Sequence, residues 1–130
     1  MILDMDYRQF ITTVMAQDER NIFSISLGSW EGLPKAIQPF FNEFSPDDVE
    51  VILNDMTSIK LFPLSELYSL QEEYKPAKGL YVFATHEGDP IACRGEEIVT
   101  WSHGSHYISI EKLADSIDAW ISMVVLNMKK

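Results

Sequence analysis

The sequence predicts an α+β fold, with one domain over residues 1–130 in which an N-terminal helix and a long C-terminal helix pack on a mainly antiparallel sheet. Three observations predict it. Residues 79–102 hold three short apolar runs separated by tight turn signals, which forces antiparallel pairing. Residues 110–128 place apolar side chains at the 3.6-residue helical period. The chain of 130 residues is 46% hydrophobic and has no Gly- or Pro-rich linker, so it can build one core.

The chain opens with a predicted amphipathic helix, from Asp4 or Asp6 to about Asp18, because its apolar residues fall at helical spacing. The apolar stretch at residues 22–27 predicts a short strand, which Gly28 ends. These two elements give the first quarter of the chain one buried helix face and one strand.

A second helix is predicted after Leu33-Pro34, since a proline suits the first position of a helix. Pro39 removes a backbone donor, so this helix is short or kinked. Residues 45–48 predict a turn after it. One face of the helix is apolar and holds Ile37, Phe40, Phe41 and Phe44.

The middle of the chain alternates apolar and polar residues at positions 49–53 and has a second apolar run at residues 59–62. Both patterns predict strands. Ser65 then predicts the N-cap of a helix over residues 66–74, which Pro76 ends.

The second half predicts a three-stranded meander and a covering helix. The strands are residues 80–85, 91–94 and 98–101. Ser109 predicts the N-cap of the longest helix, which lies across the sheet. The apolar stripe of this helix holds Ile110, Leu113, Ala114, Ile117, Trp120, Ile121, Val124, Val125 and Met128.

The net charge of −10 is the outlying feature of the composition. It argues against nucleic acid or an anionic membrane as a direct ligand, because both attract Lys and Arg. Two interpretations stay open. An acidic surface promotes solubility, and it also speeds association with a positively charged protein.

Cys93 is the single cysteine, so no disulfide forms within the chain, and its apolar surroundings in sequence predict a buried structural thiol. The N-terminal residues lack the basic start and apolar run of a signal peptide. The expected location is the cytoplasm, with no membrane-spanning segment.

The sequence contains no nucleophile elbow and no phosphate-binding glycine pattern, so catalysis is not expected, and neither is a cofactor. The candidates for a metal site are His86, His103 and His106, with Cys93 and Asp89. Their spacing is irregular for zinc, and no metal site is predicted. A metal-dependent hydrolase that uses these histidines is the minor alternative.

An acidic partner-binding surface is predicted from residues 42–55, which hold no basic residue, together with the turns of the meander. Trp30 and Trp101 are candidate aromatic anchors, with packing inside the protein as the alternative for both. The predicted partner-binding residues are Glu43, Asp47, Asp48, Glu50, Asp55, Glu87, Asp89, Glu96, Glu97 and Trp30.

Several short strings follow one another in a recognisable order over about residues 28–125. Two of them are the most characteristic, Gly88-Asp89-Pro90-Ile91-Ala92 and the helix opening Ala114-Asp115-Ser116-Ile117. The other pieces are Leu33-Pro34 with Phe40-Phe41-Asn42-Glu43-Phe44, Ile59-Lys60-Leu61-Phe62 with Ser65-Glu66-Leu67, Leu80-Tyr81-Val82-Phe83-Ala84-Thr85, and Ile98-Val99-Thr100-Trp101. In their order and spacing these strings resemble the SUKH superfamily.

This superfamily includes fungal cell-wall regulators and many bacterial immunity proteins, which bind and neutralise polymorphic toxins, often nucleases. The resemblance implies a SUKH-like fold and a non-catalytic protein-binding module. Together with the net charge of −10 and the missing catalytic motifs, it predicts an immunity protein that binds a basic toxin domain through an acidic surface. A regulatory scaffold that binds a cellular protein is the alternative within the same class. The resemblance transfers no individual site residue.

Overall fold

A computed structural model describes residues 7–25, 32–41, 44–47, 49–102 and 109–129. These ranges form four helices and eight strands, which confirms the predicted α+β class. The helices are α1 (Tyr7–Gln17), α2 (Gln38–Phe41), α3 (Leu64–Tyr74) and α4 (Ile117–Asn127). The strands are β1 (Ile22–Ile25), β2 (Phe44–Asp47), β3 (Val49–Ile52), β4 (Ser58–Leu61), β5 (Leu80–His86), β6 (Asp89–Arg94), β7 (Glu97–Thr100) and β8 (Glu111–Ala114).

Strands β3 to β8 form one six-stranded sheet in sequential order, and every neighbouring pair is antiparallel. The predicted meander is confirmed as β5, β6 and β7. Glu87 and Gly88 connect the first pair with φ angles of 50° and 87°. Positive φ at both central residues is what a type I′ turn requires, and its twist matches that of the flanking strands. Strands β1 and β2 pair separately as an antiparallel ribbon.

The buried side chains form one hydrophobic cluster, to which the sheet and all four helices contribute. Four consecutive residues of β5, Val82 to Thr85, are buried. Because successive strand residues point to opposite faces, both faces of β5 are covered. On one of them the Trp120 ring of α4 meets the Phe83 ring edge-on, with 5.4 Å between centroids. The core therefore extends to both sides of the central strands.

The β3 edge of the sheet is closed by side-chain amides. The Asn21 carboxamide accepts from the N–H of Glu50 (2.9 Å) and donates to its carbonyl (3.0 Å). The Gln17 carboxamide makes the same pair of bonds with Ile52, at 2.9 and 2.8 Å. An unpaired strand edge attracts strands of other chains, so these amides protect the β3 edge.

The predicted start of the C-terminal helix at Ser109 is wrong. Residues 111–114 are strand β8, paired with β7, and α4 begins at Ile117 after its N-cap Ser116, whose hydroxyl accepts from the Ala119 N–H at 3.1 Å. Helix α4 has 11 residues, as do α1 and α3, so it is not the longest helix among the described residues. The apolar period fits a helix at residues 110–114, but β7 supplies hydrogen-bond partners that favour a strand.

Of the two alternatives for the second predicted helix, short or kinked, the structure has the short one. Residues 35–37 form a turn and α2 begins at Gln38, which puts Pro39 in its first turn, where the missing N–H has no intrahelical partner to lose. The predicted turn at residues 45–48 is wrong, because β2 occupies Phe44–Asp47. Ile37, Phe40 and Phe41 are buried, as predicted for the apolar face of this helix.

Three smaller expectations are also resolved. Ser65 is not an N-cap, since α3 begins at Leu64 and no side chain caps it. The Cys93 side chain is buried as predicted, and burial raises the pKa of its thiol to about 11. Trp101 is buried too, so it packs inside the protein and is not an exposed anchor.

None of the helices in the described ranges has the length and apolar character needed to cross a membrane.

Candidate functional site

The predicted acidic residues lie at opposite ends of the sheet. The turn over residues 53–57 and the turn at Glu87–Gly88 share one end, because Ile59 pairs with His86 and the Glu87 N–H donates to the Ser58 carbonyl at 3.2 Å. This end carries Asp55, Glu87 and Asp89. We call it the acidic end, and it includes the last turn of α4, since the Asn54 N–H donates to the Asn127 carbonyl at 2.8 Å.

Asp55 is an exposed carboxylate held by a local turn. Its Oδ1 accepts from the Thr57 N–H at 2.9 Å and from the Thr57 hydroxyl at 2.6 Å. These two bonds lower the pKa of Asp55, the hydroxyl contributing most. Because the hydroxyl has given its single proton to Asp55, the 2.6 Å contact between Thr57 Oγ1 and His86 Nε2 requires the ring nitrogen to donate. The result is a chain of donors that ends on the Asp55 carboxylate.

Glu87 lies in the neighbouring turn between β5 and β6, and Asp89 is the first residue of β6. The Glu87 carboxylate accepts from the Ser58 N–H (3.1 Å) and from the Ser58 hydroxyl (3.2 Å). The Tyr74 hydroxyl donates to the Gly88 carbonyl at 2.8 Å. Burial raises the pKa of the Tyr74 hydroxyl, and the nearby carboxylates of Glu73 and Asp89 raise it further.

An exposed methionine, Met56, follows Asp55 directly in the turn over residues 53–57. Met56 has φ of 72°, in the left-handed region that disfavours residues with a Cβ, and its side chain is 65% exposed. Two more large apolar side chains, Met123 (41% exposed) and Leu126 (79% exposed), lie three residues apart on α4 near the same end. Strained backbone and exposed apolar side chains concentrate at binding sites, so the acidic end has both features of a docking surface.

A pocket of about 290 Å³ opens at this end, between α4 and the sheet. Its mouth is polar and its floor is apolar. The polar residues are Asn54, Asp55, His86 and Asn127, and the apolar ones are Leu53, Ile59, Ile91, Leu113, Trp120, Met123 and Val124.

The opposite end of the sheet carries Glu96 and Glu97 in the β6–β7 turn, where the charge is partly neutralised. Glu97 pairs with Arg94 at 3.2 Å and with Lys112 at 3.8 Å, and Lys112 also pairs with Asp115 at 2.7 Å. By contrast, within the described ranges the hydrogen bonds of Asp55 and Glu87 come from the neutral donors Thr57 and Ser58. Asp55 and Glu87 thus keep more of their negative charge than Glu97 does.

The remaining predicted residues are not brought to the acidic end. Asp47 is exposed at the end of β2, and Glu50 is exposed on β3 directly opposite Lys60. Both are near the start of β3, at the other end of that strand from Asp55. Glu43, Asp48 and Trp30 lie outside the described residues.

Among the histidines, only His86 falls in the described part of the chain, and its Nε2 is engaged with Thr57. His103 and His106 lie outside it. No group of three or more His, Cys, Asp or Glu side chains in the described ranges is placed to hold a metal ion.

Met56, Met123, Leu126 and Asn127 are site residues that the sequence prediction missed. A signal existed for two of them. Met56 interrupts a polar turn, Asn54-Asp55-Met56-Thr57-Ser58, where an apolar residue has no core to enter. Leu126 falls between the buried positions of the α4 stripe. The pocket itself had no such signal, because its lining comes from four separate stretches of the chain.

No protein-family model, no curated protein and no solved structure matches this chain.

Proposed function

We propose that this chain is a non-catalytic protein-binding module that docks a basic partner protein at the acidic end of its sheet. One observation carries the proposal: the turn over residues 53–57 holds the exposed Met56, in a left-handed conformation, next to Asp55, at the end of the sheet that also carries Glu87 and the pocket under α4. Exposed apolar side chains give a partner contact area, and surrounding carboxylates select a basic one.

The resemblance to the SUKH superfamily narrows the partner to a toxin domain, with the chain as its immunity protein. A basic nuclease domain suits the charge, because carboxylates at the acidic end would occupy the place of nucleic-acid phosphates. A regulatory scaffold would use the same surface for a cellular protein. The gene neighbourhood separates the two, since an immunity gene is expected directly downstream of a gene for a large secreted protein with a basic C-terminal domain.

The binding test uses that C-terminal domain as the partner and measures Kd by calorimetry. The variant Asp55→Asn with Glu87→Gln neutralises the acidic end while keeping the acceptor oxygens that bind Thr57 and Ser58. It should weaken binding by about 5- to 30-fold, taking about 0.5 to 1 kcal/mol per carboxylate. The control, Asp47→Asn with Glu50→Gln, changes the net charge equally but elsewhere, and it should leave Kd within about twofold. Equal losses in both variants would show general charge attraction and overturn the docking site.

A second test concerns Met56. Met56→Gly relieves the left-handed strain and removes the side chain, so the free energy of unfolding should stay within about 1 kcal/mol of wild type. Affinity for the basic domain should fall, whereas Met15→Ala, which truncates an exposed methionine on α1, should not change it. Wild-type affinity of Met56→Gly would exclude Met56 from the interface.

A further inference from the structure

We propose that the pocket under α4 binds an arginine side chain of the basic partner. This inference rests on the proposed function and names the anchor of the docked partner. The pocket has a polar mouth and an apolar floor, which suit the two parts of an arginine side chain.

The floor of the pocket suits an alkyl stem. It is formed by Ile59 and Ile91 from the sheet and by Trp120 and Val124 from α4, all of which are nearly fully buried. A volume of about 290 Å³ accommodates one long side chain and is too small for a folded segment. Arginine and lysine cover apolar surface with their methylene stems while the charged head stays at a polar rim.

The mouth of the pocket presents three hydrogen-bond acceptors that are left over after the bonds within the described residues are made. Oδ1 of Asp55 receives both Thr57 donors, which leaves Oδ2 for a ligand. The Asn127 amide Nδ2 donates to the Met123 carbonyl at 2.8 Å, which leaves its Oδ1. His86 donates through Nε2 to Thr57, so Nδ1 of a neutral ring is a third acceptor. A donor-rich head group complements this rim.

Guanidinium fits such a rim better than an ammonium or an apolar group. Its planar fork offers five N–H donors in fixed directions, which can reach several acceptors at once, whereas the ammonium of lysine is a point charge with three donors. An apolar side chain would shield the rim acceptors from water and leave them without donors, which costs free energy. The charge of Asp55 adds a charge-assisted bond for the cation.

The test is an NMR titration of the full chain with N-acetyl-arginine amide, and with N-acetyl-norleucine amide as the apolar control. The arginine derivative should shift the backbone resonances of residues 53–57, the Asn127 side-chain amide and the Trp120 indole. It should bind at least about fivefold more tightly than the norleucine derivative, the factor that about 1 kcal/mol of charged hydrogen bonding gives. Equal affinity of the two probes, or an absence of shifts at these resonances, overturns the proposal.

Asp55→Asn provides the matched variant, because asparagine keeps Oδ1 for both Thr57 donors and removes only the charge. It should raise the Kd for the arginine derivative by about fivefold. Asp115→Asn removes an exposed carboxylate at the opposite end of the sheet and should leave that Kd unchanged. A wild-type Kd in Asp55→Asn excludes Asp55 as the anchor's partner and overturns the proposal.

The same variants distinguish this inference from the proposed function. If the basic domain binds at the acidic end but the arginine probe does not enter the pocket, the arginine anchor is wrong and the docking surface stands. If the arginine probe binds the pocket but no basic domain binds the acidic end, the proposed function is wrong and the pocket remains a guanidinium site.

Discussion

The side-chain amide of Gln71 hydrogen-bonds to both backbone groups of Val82. Its Nε2 donates to the Val82 carbonyl at 2.7 Å, and its Oε1 accepts from the Val82 N–H at 2.8 Å. Strand β4 pairs with β5 only as far as Ala84, so Val82 has no β4 partner. Gln71 on α3 takes the place of the missing strand, as Gln17 and Asn21 do at the β3 edge.

Replacing Gln71 by methionine tests this bond pair. Methionine keeps a similar length but leaves the Val82 N–H and carbonyl without their partner in a partly buried site. We expect the free energy of unfolding to fall by about 2 to 4 kcal/mol, measured by urea denaturation. Gln9→Met changes an exposed glutamine on α1 and should cost less than about 0.5 kcal/mol. Equal midpoints for the two variants would show that the bond pair contributes little.

We expect the amides at the β3 edge to stabilise the fold and to prevent self-association through that edge. Asn21→Ala removes a 3% exposed side chain that bonds Glu50 and also the Val14 carbonyl, so we expect a loss of about 2 to 4 kcal/mol. Combined with Gln17→Ala it opens the edge, and light scattering should detect concentration-dependent self-association. Glu19→Ala, at an exposed neighbouring position, is the control. A double variant that stays monomeric would show that other features protect the edge.

Trp120→Ala should cost about 3 to 5 kcal/mol, because it leaves a cavity against Phe83 and removes their edge-on ring contact. Denaturant unfolding measures the loss. Leu126→Ala truncates a 79% exposed residue on the same helix and should cost less than about 0.5 kcal/mol. A wild-type midpoint for Trp120→Ala would contradict its place in the core.

The start of α4 is tested by two serine variants. Ser116→Ala removes the cap on the Ala119 N–H and should cost about 1 kcal/mol. Ser109→Ala, at the position that the sequence suggested, should have little effect on thermal stability. The reverse order of melting temperatures would place the cap at Ser109.

The Cys93 thiol makes the free energy of unfolding depend on pH in the alkaline range. Burial raises its pKa from 9.0 to about 11, so between these values the thiol ionises in the unfolded chain but stays neutral in the folded one. The contribution of the neutral thiol to the free energy of unfolding is complete below about pH 9 and is lost as the pH rises towards 11. Wild-type protein should therefore lose stability more steeply than Cys93→Ala over this range, by at most about 1.4 kcal/mol per pH unit. Parallel curves of unfolding free energy against pH would contradict the raised pKa.

Part of the candidate site could be predicted from sequence. Asp55, Glu87 and Asp89 stood out because they lie in turns of an acidic chain, and turn residues are exposed. Which carboxylates are neighbours depends on strand register, which no local pattern contains. Register places Asp55 beside His86, and it places Glu97 beside Arg94 and Lys112 at the other end.

The sequence by itself determined the α+β class, the meander and the buried stripe of α4. Two-residue turns such as Glu87–Gly88 and the helical period between Ile117 and Val124 are short-range signals that act within a few residues. Only the tertiary structure decided that residues 111–114 form a strand and residues 44–47 pair with β1, because hydrogen-bond partners distant in sequence outweigh a weak local preference. It alone also decided where the polar amides of α1 and α3 find backbone partners, since those bonds exist only once the helices pack on the sheet.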